Sequence, residues 1–423
     1  MKNITMKGFD ETTDIKTALN IFLPLIKFTC EVEEINTNEG LYRILAEDIH
    51  SPVNIPRFNK SAMDGYAVRA KDTFGASETN PLTFSVVDSI AAGQTPTIEV
   101  EENQAIMIMT GGELPPRADA VVMFEYTNRL DENTIEVYRP VVPKENISLV
   151  GEDVRQGDTI LRRGTILEPQ DIGMLYALNT LSIKVFEKPR IAIVSIGDEL
   201  VEPGEPPPLG KIINTNTPMI QALTRKLGGS PIDLGIARDD SEEIKTKIME
   251  GTAKADILIL IGGTSVGKKD LAPGVVDSAG KLVVHGMSMR PGKPTGLGIV
   301  KEKPVILVPG NPVAAMISVC IFGNRVIQKI SGLAPERIIP PINARMTRRI
   351  PSNVGRRDFA RVLVKCEKGK YVAEPIRVAG SSILSSMVKA NGIVVVPENK
   401  EGIEEGEEVE VLLIRQQIEG EII

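Results

Sequence analysis

Two histidines, His50 and His285, and three cysteines, Cys30, Cys320 and Cys366, are the whole supply of imidazoles and thiols in a chain of 423 residues. Two imidazoles cannot build a histidine-rich metal centre. Thiols this far apart, without a Cys-x-x-Cys spacing, speak against a disulfide framework and against a zinc site. Positive charge is also short: the formal net charge is −7, so nucleic acid is not an expected partner, and an anionic ligand needs a local basic pocket. The N-terminus lacks a basic-then-apolar leader, and no apolar run approaches about 18 residues, so a soluble cytoplasmic protein with no membrane partner is the expectation.

What is present suits ordinary globular domains. Hydrophobic residues make up 42% of the chain, and at ~150 residues per domain the length suggests about three. The most informative stretch runs from Lys254 to Val319. It opens on the unalternating branched run Asp256-Ile-Leu-Ile-Leu-Ile, which reads as a strand covered on both faces. Gly262-Gly263-Thr264-Ser265-Val266-Gly267-Lys268-Lys269-Asp270 follows where ligands gather in open α/β sheets. Met289-Arg290-Pro291-Gly292-Lys293-Pro294 then sets two cations among prolines, and Arg290, Lys293, Lys268 and Lys269 could form the basic pocket. A second strand, Pro304 to Val308, leads into Pro309-Gly310-Asn311-Pro312. There Asn311 suits an N-cap and Pro312 the first helical position, leaving free N–H groups for an anion. Taken singly, Gly-Gly after a strand is a tight turn and Pro-Gly-Asn-Pro a helix start. Together they point to a phosphorylated ligand.

The remainder is read in order. Ile15 to Phe28 has helical spacing with a break at Pro24, and Leu41 to Glu47 suggests another short helix. Asp64-Gly65 before a strand reads equally as a hairpin turn or as part of a site. Runs at Leu82–Val87, Ala105–Thr110, Ala120–Tyr126 and Thr134–Tyr138 make a β-rich segment. From Pro189 the chain alternates strand and helix to residue 330, the pattern of a mostly parallel sheet. Asp240 and Glu243 form a capping pair, which leaves Asp239 the freer carboxylate. Glu199, Asp239 and Asp270 each follow a strand and should share one rim with Lys293. From residue 338 onward, short alternating strands predict a barrel or sandwich, and Arg361 and Gly380-Ser381-Ser382 stand out as more than surface.

Ser61-Ala-Met-Asp-Gly-Tyr-Ala67, Met109-Thr-Gly-Gly112, Gly197-Asp-Glu-Leu200, Gly262-Gly-Thr-Ser-Val-Gly267 with Asp270, Pro291-Gly-Lys-Pro294 and Pro309-Gly-Asn-Pro312 occur in this order along nearly the whole chain. The set resembles the molybdopterin molybdenumtransferase family, which includes the homologous domain of animal gephyrin. That resemblance implies a discontinuous connector domain (1–47 plus 143–186), a β-rich second domain (48–142), a molybdopterin-binding doubly wound α/β domain (187–331) and a C-terminal β-barrel-like domain (332–423). It also implies a homodimer that inserts molybdate or tungstate into adenylylated molybdopterin, releases AMP and uses Mg²⁺. A molybdopterin adenylyltransferase is then the expected upstream partner.

Carried over by similarity, Asp64, Thr110, Glu199, Asp239, Asp270 and Lys293 match positions important for activity, with Asp64 and Thr110 acting across the dimer. The resemblance places Gly262, Gly263, Ser265, Gly267, Arg290, Pro294, Gly310, Asn311, Arg361 and Ser381 at the substrates, and Asp270, Asp239 and Glu199 at the metal. Arg290 replaces the lysine common before Pro-Gly-Lys-Pro, and Lys268 stands where an acidic residue is frequent. An adenylyltransferase that loads AMP from ATP and a non-enzymatic pterin carrier or scaffold are the competing readings.

Overall fold

The structure is a computed structural model and describes residues 12–27, 30–204, 206–264, 271–333, 340–377, 380–415 and 418–420. Two compact units are present. One comprises Met1–Ala46, Gly164–Glu168 and Ser182–Ile423, and the other Glu47–Arg163 and Pro169–Leu181.

The first unit is built on a six-stranded sheet ordered Ser230–Ala237, Arg190–Ile196, Ile257–Ile261, Lys303–Val308, Gly296–Val300, Lys281–His285. The first four strands run parallel and the last two antiparallel. Alternate residues of the central strands sort onto two faces. Ile191, Ile193, Ile257, Ile259 and Ile261 pack with Ile220 and Leu223 of the helix Asn216–Lys226. Ala192, Val194, Leu258 and Leu260 pack with Ile244 and Ile248 of Ser241–Lys254 and with Val275 and Val276 of Ala272–Ala279. All five residues of Ile257–Ile261 are buried. Each is worth about 1.5–3 kcal/mol of apolar transfer, which is why this strand carries no polar alternation. The doubly wound α/β expectation is therefore met, with an antiparallel hairpin added at one edge.

The helix following Val308 runs Pro312–Ser318, passes through a π-turn at Val319–Gly323 and resumes at Asn324–Ile330. By length and hydropathy it is long and apolar enough to cross a membrane, an exception to the expectation of no such run, but 61% of its apolar window is buried against the core. Near the N-terminus, helix Ile15–Phe22 gives way to a 3-10 turn at Leu23–Leu25 containing Pro24, as the sequence suggests. Leu41 to Glu47, in contrast, is not a helix. Ile44 and Leu45 are bridged to Ile166 and Val185, and Ala46 N–H donates to the Lys184 carbonyl at 2.9 Å. Pairing across the chain, with Leu45 fully buried, overrides local helix propensity.

The C-terminal region of this unit closes a barrel: Arg357–Glu367, Lys370–Arg377, Ile342–Met346, Glu408–Leu413, Gly392–Val396 and back to Arg357–Glu367. Closure removes the open edges that invite aggregation. Met289–Arg290 adds to it in parallel, setting Met289 opposite Arg357 and Arg290 opposite Asp358. This short ladder ties the loop after the α/β hairpin to the barrel.

The second unit holds a mixed sheet ordered Ala120–Met123, Gly65–Val68, Gln104–Ile108, Leu82–Ile90, Thr134–Val137, Thr127–Arg129. Gly65 starts a buried strand, so the hairpin reading of Asp64-Gly65 fails. A Cβ at position 65 would lie 2.1 Å from the Val122 carbonyl oxygen, and glycine is what allows the two strands to approach.

Candidate active site

The parallel strands end on one rim, and their loops interlock there. Gly262 N–H donates to the Val308 carbonyl at 2.9 Å, and Gly197 N–H to the Ala237 carbonyl at 3.0 Å. Asn216 Nδ2 donates to the Gly310 carbonyl at 2.6 Å. Asp198 and Asp239 brace each other: Asp198 N–H donates to Asp239 Oδ2, and Asp239 N–H to Asp198 Oδ1, each at 3.3 Å. Glu199 lies on the adjoining loop, while Asp240 caps the next helix by accepting from Glu242 and Glu243 N–H groups. Glu199 and Asp239 thus both follow strand ends on this rim, whereas Lys293, expected with them, lines the cavity beside it. Ser265, Gly267, Lys268, Lys269 and Asp270 lie outside the described residues. Among the described residues, no three His, Cys, Asp or Glu side chains form a metal-binding group.

A separate cavity of about 460 Å³ opens beside this rim. Arg290, Lys293, Arg356 and Arg361 line it, together with Pro294, Asn311 and Gly380-Ser381-Ser382. Its Pro-Gly-Lys-Pro wall is held rigidly. Thr295 Oγ1 donates to the Gly292 carbonyl at 2.7 Å and meets Ser318 Oγ at 2.7 Å, with both side chains fully buried. Met287 N–H donates to the Lys293 carbonyl at 2.7 Å. Arg361 is only 2% exposed. Four cationic side chains thus share one wall, two of them, Arg290 and Arg356, ion-paired to Asp358. One expected feature is different. The Val313 N–H at the start of the helix donates to the Ser381 carbonyl at 3.1 Å, and the Asn311 side chain makes no capping bond. The helix start therefore anchors the serine loop instead of presenting that N–H to an anion.

In the second unit, the Asp64 carboxylate accepts from both the N–H and the hydroxyl of Thr110, each at 2.7 Å. These bonds, the backbone one foremost, hold its carboxyl below the usual carboxylate range, so it stays ionised at neutral pH. Burial, by contrast, pushes the Cys30 and Cys320 thiols up to about 11, which removes both as nucleophiles.

Comparison with known proteins fits this geometry. The MoeA N-terminal region, domains I and II, matches residues 13–179, a probable molybdopterin binding domain matches 192–329, and the MoeA C-terminal region, domain IV, matches 343–414. A putative molybdopterin biosynthesis protein of Methanocaldococcus jannaschii is 40% identical, over 91% of this chain and 93% of that one. The chain belongs to the MoeA family. The molybdopterin molybdenumtransferase of Bacillus subtilis is 35% identical over 92% of this chain and 91% of its own. In structure, the MoeA protein of Pyrococcus horikoshii OT3 superposes with a TM-score of 0.84 at 36% identity, covering 95% of this chain and all of that one.

Within this MoeA chain, two residues at the cavity escape a reading by motif. Arg356 lines it, and Asp358, just behind, is 4% exposed and ion-paired to Arg356 and Arg290. The signal was available in Gly355-Arg356-Arg357-Asp358-Phe359-Ala360-Arg361: a carboxylate inside a β-branched and aromatic strand pattern, flanked by arginines, implies a buried charge with partners.

Proposed function

We propose that this MoeA-family molybdenumtransferase binds adenylylated molybdopterin and a tetrahedral oxyanion, molybdate or tungstate, inserts the metal into the dithiolene, and releases AMP. The observation that carries the reading is the cavity lined by Arg290, Lys293, Arg356 and Arg361, with no carboxylate among the described residues of its wall. Such a lining selects a small dianion. Lys293 supplies a compact point charge, Arg361 a planar fork from the barrel strand, and Ser381 a hydroxyl. The neighbouring rim of Gly262, Gly263, Gly310 and Asn216 suits the phosphates of the pterin nucleotide, with glycines permitting close backbone approach.

A Mg²⁺ ion fits the rim carboxylates. Glu199 and Asp239 offer hard oxygens to an ion that takes one or two carboxylates plus phosphate oxygens and water. When bound it would neutralise phosphate charge. The decisive assay supplies adenylylated molybdopterin, each oxyanion and Mg²⁺, and follows AMP by chromatography. AMP should appear only with oxyanion and metal present. Consumption of ATP with metal-free pterin would favour an adenylyltransferase instead, and stoichiometric binding with no AMP would favour a carrier.

The reading includes a cytoplasmic homodimer, in which Asp64 and Thr110 serve substrate held by the other subunit, and an adenylyltransferase upstream. Co-expressing Asp64→Asn and Arg361→Ala subunits with different tags tests the shared site. The purified heterodimer should regain one intact site of two and exceed either parent homodimer in AMP release. A heterodimer as inactive as both parents would rule out action across subunits.

A further inference from the structure

Arg356 Nε donates to Asp358 Oδ1 at 2.9 Å and Arg356 Nη2 to Asp358 Oδ2 at 3.3 Å, a two-bond fork. Arg290 Nη1 stands 3.7 Å from the same Asp358 Oδ2. The Asp358 side chain is 5% exposed and does not line the cavity, whereas both arginines do. One carboxylate behind the wall therefore holds two guanidiniums whose outer edges face the ligand space. Two of the five N–H donors of Arg356 are engaged by Asp358, which leaves three for a ligand. The backbone fixes the arrangement, because Arg290 pairs with Asp358 in the parallel ladder and Arg357 N–H donates to the Ser288 carbonyl at 2.9 Å.

We propose that Arg356 contacts the oxyanion directly and that Asp358 is the positioning residue that aims Arg356 and Arg290 at it, so that the cavity selects dianions over monoanions of the same shape. This rests on reading the cavity as the oxyanion subsite. The geometry gives a test in which two explanations differ in sign. If Asp358 acted only through its charge, removing it would make the cavity more positive and tighten oxyanion binding. If it acts by positioning, the freed guanidiniums swing into solvent and binding weakens.

The experiment is calorimetric titration of full-length, pterin-free protein with molybdate and with perrhenate, a tetrahedral monoanion, alongside KM and kcat for molybdate. Asp358→Asn should weaken molybdate binding and raise its KM about tenfold with kcat at saturation nearly kept, and Arg356→Gln should lose about tenfold as well. In Arg356→Gln the preference for molybdate over perrhenate should shrink, and Arg356→Lys, which keeps charge without the fork, should fall between the two. A general loosening of the barrel would lower affinity for both ions equally and leave that ratio unchanged, which overturns the contact role. Binding as tight or tighter in Asp358→Asn overturns positioning. Should melting curves show Asp358→Asn unfolded, the two Arg356 variants decide the matter. A wild-type protein that binds neither ion overturns the underlying reading and the proposal with it; wild-type binding with unaltered variants overturns the proposal alone.

Discussion

Arg361→Ala is expected to weaken molybdate binding about a hundredfold, because a buried guanidinium making charge-assisted hydrogen bonds contributes roughly 1.5–3 kcal/mol per bond and each 1.4 kcal/mol is tenfold. The side chain is 2% exposed and reaches the cavity from the barrel strand Arg357–Glu367, so solvent screens its field little. Pterin binding should change far less, since the rim proposed to receive the nucleotide, at Gly262, Gly263, Gly310 and Asn216, does not include the barrel strand that carries Arg361. Arg361→Lys separates charge from shape: it retains the cation, loses the planar fork, and should sit between wild type and Ala. Calorimetry with molybdate and with the pterin measures both quantities. Equal losses for the two ligands would mean that Arg361 supports the fold in general and not the oxyanion in particular.

Much of this architecture was legible because the strongest patterns in the chain are those least open to tertiary override. The run Ile257–Ile261 can only be a strand covered on both faces, and the five buried residues confirm it. The capping pair at Asp240 and Glu243 likewise placed the helix Ser241–Lys254, and the Asp240 side chain does accept from the first turn. Failures occurred where long-range pairing decides conformation. Leu41 to Glu47 has enough apolar residues for a helix, yet its backbone bonds go to residues 164, 165, 167, 184 and 186. Of the hairpin Gly296–Val300 with Lys303–Val308, only the second strand was read, because glycines interrupt the apolar pattern of the first. A Cβ at Gly298 would lie 2.6 Å from Val276 Cγ1, so the glycine there admits a helix packed on the strand. Arg361, Ser381, Lys293 and Pro294 were legible at the cavity, whereas for Arg356 and Asp358 the sequence shows a buried charge with partners but not its place at the cavity. Their meaning depends on the Met289–Arg290 ladder that brings one loop against the barrel, and two residues of pairing leave no periodicity to read.

Gly262 shows how a site motif and a folding requirement can fall on the same atom, and it provides the largest expected stability effect. Its φ is +94°, and a Cβ there would lie 2.5 Å from the Ile196 carbonyl oxygen. Backbone strain of about 1–3 kcal/mol and overpacking of about 1–3 kcal/mol act together, so Gly262→Ala should cost roughly 3 kcal/mol or more and lower Tm by about 6–12 °C. The adjacent glycine is an internal control. Gly263 has φ +61°, in the left-handed region that L residues enter at modest strain, and its nearest obstacle is the Ile196 Cγ2 methyl group at 3.2 Å. Gly263→Ala should therefore cost only about 1 kcal/mol. Differential scanning calorimetry of the two variants separates the explanations. If the pair melts together, the glycines serve the ligand alone and the close approach to Ile196 is relieved by a small shift. If Gly262→Ala alone collapses the α/β transition, then the strand-end turn needs that glycine before any phosphate reaches it.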